Sequence, residues 1–330
     1  MSNLVTKNET GIDAVITWVD GNSSKQILKR QKYLSNAINP LHENAVNPHR
    51  WSCNNEILYC LQSIYNFAPW IKKIWIVVDD EAPDVSSLSP EIQQKITYVY
   101  HHEIFRELSH NLPTFNSLSI ESLLWRIDGL SEKFVYFNDD VFLTAPLKPT
   151  DLFQGKLTVL RGMWVDYSSI VDNEKCKQDP ALFNHYMHIN AAKILDFRSN
   201  NIFEAAHVAH PFKRSKMCEL FSSHKTLFLG NTTYRFRDLN QFLPQAFYNH
   251  SCIQDKTAIF NQTQDYLHIY SGQEQDSSYD EIKRLLKEIS DNHIKFLCIN
   301  DLPKLETLVP GLRNWITQII GGSDNPMGQM

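Results

Sequence analysis

Glycine is scarce in this chain, with 11 residues among 330, and neither glycine motif that binds nucleotide phosphates occurs. The absence of G-x-G-x-x-G and of G-x-x-x-x-G-K-[ST] argues against a dinucleotide-binding or P-loop enzyme. Basic residues are not in excess, since 32 Lys and Arg stand against 37 Asp and Glu for a net charge of −5. That balance argues against a nucleic-acid binder, which would carry a basic face or stripe.

Long apolar runs and paired cysteines are also missing. No run approaches the roughly 20 apolar residues that cross a bilayer, and residues 1–11 lack the apolar segment of a secretory signal. The six cysteines include no CxxC pair, which predicts free thiols in a reducing compartment. We therefore expect a cytoplasmic enzyme, with peripheral attachment at the inner membrane face left open. We expect disordered ends at 1–11 and 321–330.

What the chain does contain is a series of buried strands separated by helical patterns. Apolar, β-branched runs predict strands, and 3.6-residue periodicity predicts helices. The strands fall at 12–19, 74–78, 96–100, 134–137 and 294–299, and the main helices at 25–37, 55–68, 117–129, 279–290 and 312–320. This order favours an α/β fold with a mostly parallel, Rossmann-like sheet flanked by helices. We predict one catalytic domain over 12–320, with a less regular, partly helical insertion at about 155–205.

Three of the predicted strands end in acidic residues, at Asp20, Asp79 and Asp139. Ligands gather at the carboxyl ends of strands in such sheets, and Mg²⁺ prefers oxygen ligands. Asn138-Asp139-Asp140 therefore predicts a Mg²⁺ or Mn²⁺ site with Asp139 and Asp140 as ligands. A capped turn is the alternative for each of these sites, and the helix dipole alone accounts for Glu56.

A second polar set lies between residues 205 and 250. His207 or His210 is a candidate general base, because imidazole titrates near neutrality. Their spacing also suits zinc, but no third soft ligand lies close in sequence. Arg235 and Arg237 alternate and are candidates for phosphate binding. Carboxylates, a base and arginines together are the groups that phosphoryl transfer requires.

Four blocks of the sequence, in order, resemble those of the Stealth proteins. This family includes bacterial capsular polysaccharide phosphotransferases and the catalytic part of animal N-acetylglucosamine-1-phosphotransferase. The blocks are the run IDAVITWVDGN at 12–22, parts of 55–140 ending in FNDD, the segment from Ala206-His207 to Arg235-Phe236-Arg237, and Cys298-Ile299-Asn300-Asp301.

This resemblance implies a nucleotide-sugar transferase fold of the GT-A type. It implies transfer of a sugar 1-phosphate from a UDP-sugar to a hydroxyl of an oligosaccharide or capsular polysaccharide, with UMP released. Possible association with a capsule assembly complex follows from the same likeness. The oligomeric state and the identity of the sugar stay open.

Residue roles also follow from the resemblance. His207 is favoured as the base, with His210 kept open, and Asp20 and Asp139 are placed in the catalytic set. Either Arg235 or Arg237 would hold phosphate. The implied substrate-binding residues are Asn22, Glu56, Asn116, Asn138, His210, Asn300 and Asp301.

Two other functions remain as alternatives. A metal-dependent glycosyltransferase would use the same aspartates but attack the anomeric carbon and release UDP. A carbohydrate-binding subunit would not need the His, Asp and Arg set.

Overall fold

The computed structural model describes residues 11–35, 40–51, 53–269, 279–290 and 293–321. Of the ends predicted to be disordered, 1–11 and 321–330, all but Gly11 and Gly321 lie outside the described residues. The strands are β1 Ile12–Thr17, β2 Ile71–Val78, β3 Ile96–Tyr100, β4 Lys133–Asn138, β5 Val141–Leu143, β6 Phe153–Gln154, β7 Leu157–Leu160, β8 Gly162–Val165, β9 Ile202–Ala205, β10 His210–Lys213, β11 Ala258–Phe260, β12 Tyr266–Ile269 and β13 Phe296–Ile299.

Helices lie between most of these strands. They are α1 Ser24–Ser35, α2 Glu43–Val46, α3 Glu56–Phe67, α4 Pro90–Gln93, α5 His101–Phe105, α6 Ser117–Glu121, α7 Glu174–Lys177, α8 Phe183–Ile194, α9 Arg214–Ser223, α10 Lys225–Asn231, α11 Pro244–Gln254, α12 Tyr279–Ser290, α13 Leu302–Leu308 and α14 Leu312–Ile319. Among the described helices, none is both long enough and apolar enough to span a membrane.

The central sheet has five strands in the order β10-β4-β1-β2-β3. The strands β4, β1, β2 and β3 run parallel, and β10 lies antiparallel at the edge next to β4. Thr17 pairs with Asn138 on one side and Val77 on the other, so three strands end at the same edge. The predicted α/β class with a mostly parallel sheet is confirmed.

Both faces of this sheet are covered, which explains why its strands are apolar throughout. Ala14 and Ile16 of β1 face one core, which includes residues of α3, α13 and α14. Val15 faces the opposite core, which includes residues of α9, α10 and α11. Helices on both faces leave the carboxyl edge of the sheet as the place where polar residues gather.

A smaller sheet, in the order β12-β13-β5, adjoins that edge. Only two residues, Asp139 and Asp140, separate the end of β4 from the start of β5, so this turn links the two sheets. Cys298 of β13 pairs with Val141 of β5 and with His268 of β12. Two further small sheets, β11-β7-β6 and β8-β9, lie elsewhere in the fold.

The structure corrects one helix prediction. The helix expected over 117–129 is α6 followed by a separate 3-10 turn at Leu124–Arg126. The Ser122 hydroxyl donates to the Leu118 carbonyl at 2.8 Å, a side-chain bond that competes with helix continuation. Asn55 precedes α3 with φ of 63° and makes no side-chain cap; the Asn54 backbone N–H donates to Glu56 Oε2 at 2.6 Å instead.

The predicted insertion at 155–205 contains regular elements, namely β7, β8, α7, α8 and β9. The twelve residues of α8 form its main helical part, and their apolar side chains are mostly buried. That 12–320 is one domain stays a prediction.

Candidate functional site

The turn after β4 is the centre of the candidate site. Asn138 ends β4, and Asp139 and Asp140 form the turn into β5. The backbone of Asp140 is fixed to the small sheet, because its carbonyl accepts from the Ile299 N–H at 3.0 Å. Residues far apart in sequence therefore meet at the carboxyl edge of the central sheet.

A chain of side-chain hydrogen bonds holds the Asp140 carboxylate. His268 Nε2 lies 2.6 Å from Asn300 Oδ1, and Asn300 Nδ2 donates to Asp140 Oδ2. The other oxygen, Asp140 Oδ1, is buried and has no hydrogen-bond partner in the structure as described. Burial is the main cause that raises the pKa of Asp140 to about 6, while nearby His268 and the Asn300 bond oppose the rise.

His207 lies beside this carboxylate, in the bend between β9 and β10. Its Nε2 is 3.2 Å from Asn138 Nδ2, and with the amide donating, Nε2 carries the lone pair. The His268 ring stacks on the His207 ring with centroids 4.9 Å apart. Burial, and then the positive charge of Arg237, lower the pKa of His207 to about 4. The imidazole is therefore neutral at neutral pH and able to accept a proton.

Further acidic groups surround the turn. Burial raises the pKa of Asp139 well above its ordinary value, and the charges of Asp140 and Glu56 add to the rise. Burial likewise raises the pKa of Glu56, with Asp140 contributing. A divalent cation would relieve this repulsion and give Asp140 Oδ1 a partner. The residues therefore fit the predicted cation.

The loop after β1 packs against the segment before α3. Asp20 Oδ1 accepts from the Asn22 N–H at 2.9 Å, and Asn22 Nδ2 donates to the Cys53 carbonyl at 2.7 Å. A Cβ on Gly21 would lie 2.0 Å from the Trp51 carbonyl oxygen, so only glycine allows this approach. Asp20 thus stabilises a turn, which was the alternative given for it from the sequence. A catalytic role for Asp20 stays a prediction.

Arg237, whose charge interacts with Asp140, and Arg50, whose charge interacts with Arg237, make no ion pair to a carboxylate among the described residues. Arg237 donates to Ser117 Oγ at 2.8 Å and to Asn184 Oδ1 at 3.2 Å. Arg50 Nε donates to the Asn44 carbonyl at 2.6 Å. Burial lowers the pKa of both guanidinium groups, and the charge of Arg237 lowers that of Arg50 further. Two cations this close favour an anion between them.

The rings next to these arginines show that the two segments are in contact. Trp51 packs edge-on against Phe236, with centroids 6.5 Å apart. Arg50 and Arg237 are their immediate neighbours in sequence. Asp140 and Glu121 both act on Arg237 electrostatically, which ties the arginine pair to the acidic turn.

Several predicted site residues are engaged elsewhere. Arg235 Nη2 donates to the carbonyls of His110 and Leu112 at 3.3 Å, with its guanidinium over the Tyr33 ring. Asn116 is 1% exposed and uses its side chain to cap α6 and to bond the Tyr234 carbonyl and Gln241. The structure therefore places these two side chains in the framework around the site.

His210 lies in the central sheet, and Asp301 lies at the start of α13. His210 lies within β10, opposite Tyr136 of β4, and is 7% exposed. Burial and the neighbouring histidines lower its pKa to about 3. Asp301 precedes α13 with φ of 56°. Of the two candidate bases, His207 is the one that contacts Asn138.

Asp79 is the predicted strand-end acid that does not join the cation site. Its Oδ2 accepts from Lys29 Nζ at 2.6 Å and from Gln26 Nε2 at 2.8 Å. At this strand end α1 supplies a cation for the carboxylate, and the predicted cation ligands remain Asp139 and Asp140.

Sequence reasoning missed three residues at the site: Arg50, His268 and Cys298. The ligand atoms of Cys298, Asp140 and His207 all lie within 4.8 Å of one another. No spacing links positions 140, 207, 268 and 298, so only strand pairing brings them together. Arg50 had a usable signal, because it lies five residues before the second of the four blocks.

Known proteins match this chain over most of its length. Residues 50–159 match the model of Stealth protein CR2, conserved region 2. A capsular polysaccharide phosphotransferase of Haemophilus influenzae is 32% identical over 303 residues, 88% of this chain and 78% of the relative. An exopolysaccharide phosphotransferase of Streptomyces coelicolor is 42% identical over 142 residues, 43% of this chain but 22% of the relative.

The chain spans less than half of most of these relatives, including those of Actinobacillus and Neisseria. Among solved structures, the galactosyltransferase LgtC in complex with donor and acceptor sugar analogues is similar, with a TM-score of 0.46 and 10% identity. That likeness covers 94% of this chain and 95% of the other.

Proposed function

This chain belongs to the Stealth family, and we propose from that premise that it transfers a sugar 1-phosphate from a UDP-sugar to a hydroxyl of a growing polysaccharide. The product would be a phosphodiester, and UMP would be released. The names of the relatives, which are capsular and exopolysaccharide phosphotransferases, support the class of reaction. The polysaccharide acceptor and a peripheral position at a capsule assembly complex belong to the same proposal.

The observation that carries the proposal is the position of His207. A neutral imidazole with its Nε2 lone pair lies beside a carboxylate turn and near a buried guanidinium. Base, carboxylates and arginine come from separate segments and meet at one edge of the sheet. This is an arrangement suited to proton removal from a hydroxyl next to a phosphoryl group.

In the proposed reaction, the acceptor hydroxyl oxygen attacks the phosphorus that carries the sugar. The hydroxyl replaces the Asn138 amide at His207 Nε2, which takes the hydroxyl proton, and the bond from that phosphorus to the bridging oxygen breaks, so the bridging oxygen leaves with UMP. The anomeric C–O bond is not touched, and the configuration at that carbon is kept. Asn138 holds the imidazole in the tautomer that this step requires.

Arg237 and Arg50 are proposed to bind the phosphoryl oxygens together. Each keeps its guanidinium oriented through neutral partners, Ser117 and Asn184 for Arg237 and Asn44 for Arg50. Neither guanidinium is neutralised by a direct ion pair within the described ranges, so both charges remain for the substrate. The charge that develops on the phosphoryl group would be stabilised by both.

A Mg²⁺ or Mn²⁺ ion would be held by Asp140, with Asp139 as the second carboxylate. When bound, such an ion neutralises phosphate charge. Asn300 and His268 orient the Asp140 carboxylate, so that Oδ1 is the oxygen left for the ion.

The test is incubation with a panel of UDP-sugars, Mg²⁺ and capsule oligosaccharides, followed by nucleotide analysis. UMP is the expected product, with retained configuration in the new phosphodiester. Release of UDP, or a product with inverted configuration, would instead identify attack at the anomeric carbon and a glycosyltransferase. The His207→Gln variant separates enzymatic release from background, because it removes the base while keeping a polar side chain of related size.

A further inference from the structure

Three potential metal ligands of mixed chemistry meet at the end of β4. One carboxylate oxygen of Asp140, one ring nitrogen of His207 and the sulfur of Cys298 lie within 4.8 Å of one another. They come from three separate segments, namely the turn after β4, the bend before β10 and strand β13. Cys298 is 0% exposed, whereas Asp140 and His207 are half-buried and so are partly accessible to solvent.

The donor set differs from the one that a hard cation selects. Mg²⁺ takes oxygen ligands almost alone, whereas thiolate and imidazole ligands select Zn²⁺ and similar ions. A carboxylate, an imidazole and a thiolate with one open position match a three-ligand zinc site. Asp140 Oδ1 is an independent indication of a ligand, because it is buried without any hydrogen-bond partner in the described chain.

The surrounding bonds favour these three atoms as ligands. Asn300 binds Asp140 Oδ2 and so leaves Oδ1 unoccupied. The His268 ring stacks on the His207 ring and restricts its orientation. Partners of this kind orient metal ligands in proteins.

We propose that Asp140, His207 and Cys298 form a site for a soft divalent cation such as Zn²⁺, and that its occupancy blocks sugar-phosphate transfer. On binding, the Cys298 thiol loses its proton to solvent, His207 gives its lone pair to the ion, and water fills the fourth position. The base of the proposed reaction is then engaged, and Asp140 is no longer available to Mg²⁺. The inhibitory part rests on the proposed function; the binding part does not.

Binding is tested with Co²⁺ as a spectroscopic substitute, added to the full chain without Mg²⁺. Wild type is expected to take one ion with a thiolate-to-cobalt charge-transfer absorption, which Zn²⁺ then removes. Cys298→Ser should lose that absorption, while Cys176→Ser, the same change at a cysteine outside the site, should keep it. Circular dichroism of each variant verifies that the fold is retained.

A second variant keeps the test decisive if Cys298→Ser does not fold. Asp140→Asn retains the thiol and should weaken Co²⁺ binding by more than the roughly 10-fold to 100-fold that loss of an outer partner of a ligand costs. Absence of the absorption in wild type, or its persistence at full strength in Cys298→Ser, would overturn the proposal.

Inhibition is measured separately as UMP release in excess Mg²⁺ with increasing Zn²⁺, each variant relative to its own rate without Zn²⁺. Zn²⁺ should inhibit wild type and Cys176→Ser at the concentration that fills the site, and a zinc-selective chelator should restore the rate. Equal sensitivity of Cys298→Ser would overturn the inhibitory part. If wild type binds Co²⁺ through Cys298 but releases no UMP with any donor, the proposed function fails while the metal site stands.

Discussion

β2 and β4 end alike in sequence, each as an apolar run followed by two acidic residues, yet their acidic pairs have different surroundings. After β2, Asp79 and Asp80 both accept from Lys29 of α1, and Lys25 adds a second contact to Asp80 at 3.4 Å. Those bonds lower the pKa of Asp80. The negative charge at this strand end is compensated by a helix that follows β1.

After β4, Asp139 and Asp140 have no cation in direct contact among the residues described. An amide, that of Asn300, orients Asp140, and the guanidinium of Arg237, whose charge interacts with Asp140, bonds Ser117 and Asn184. The pKa of each carboxyl is raised, chiefly by burial. The comparison indicates that an acidic strand end is a candidate cation site where no Lys or Arg side chain of the fold pairs with its carboxylates.

The largest difference between the two strand ends is expected in the rate of UMP release, when one carboxylate at each end is replaced by an amide. Asp140→Asn should lower UMP release by about 100-fold or more, because it removes charge beside the reacting group. Asp79→Asn should leave turnover close to wild type. Steady-state rates with Mg²⁺ and the preferred UDP-sugar measure both. Equal losses in the two variants would mean that the strand ends do not differ in function.

Replacement of Arg50 and replacement of Lys29 should also have different effects on kcat/KM. Arg50→Gln removes a charged donor proposed to bind phosphate, and kcat/KM should fall by about 10-fold to 150-fold, the range for a hydrogen bond to a charged group. Lys29→Met should change kcat/KM little, because its charge is engaged by Asp79 and Asp80. Arg198→Gln, the same substitution in the turn after α8, is the matched control for Arg50. A normal kcat/KM in Arg50→Gln would remove it from the phosphate site.

Stability should change with opposite sign at the two strand ends. The folded-state pKa of Asp140, about 6, lies above the ordinary value of about 3.9. Its ionisation therefore lowers stability as pH rises from about 4 to 6, by about 3 kcal/mol once complete. Asp140→Asn should then be more stable than wild type at pH 7.5 and lose that advantage near pH 4.

Asp79→Asn should instead be destabilised by about 1 to 3 kcal/mol, because Lys29 loses a partner where its side chain is 21% exposed. Urea unfolding in EDTA measures both variants, since a bound cation would mask the repulsion at Asp140. A destabilised Asp140→Asn at pH 7.5 would mean that burial does not strain this carboxylate.

The smallest effect is expected at Lys25. Its contact with Asp80 joins two exposed side chains, 53% and 42% accessible, so Lys25→Gln should cost less than about 1 kcal/mol and nothing measurable at high salt. Thermal unfolding at two ionic strengths measures this. A large, salt-resistant loss would show that the outer side of the β2 pair is less solvated than the structure indicates.

Local patterns predicted the four parallel strands of the central sheet, because buried strands between helices leave an apolar signal within a few residues. The antiparallel edge strand β10 was not predicted. The helix over 117–129 was wrong, because the chain passes from α6 to a 3-10 turn at Leu124–Arg126, a change that apolar periodicity does not resolve. At the site, Asn138, Asp140 and His207 were among the residues chosen from the sequence, and the fold brings them together. Arg50, His268 and Cys298 were not chosen, because their relevance depends on pairing between distant segments.

By itself, the sequence determined the α/β class, the strand that ends at Asn138 and the kinds of side chain available for chemistry. Periodicity and residue type act over one element, and they suffice for those conclusions. Only the tertiary structure decided that Lys29 neutralises the β2 pair, while β13 brings Asn300 and Cys298 to the β4 pair. The reason is physical: charge compensation and ligand geometry depend on distances across the sheet, which neighbouring residues in the chain do not specify.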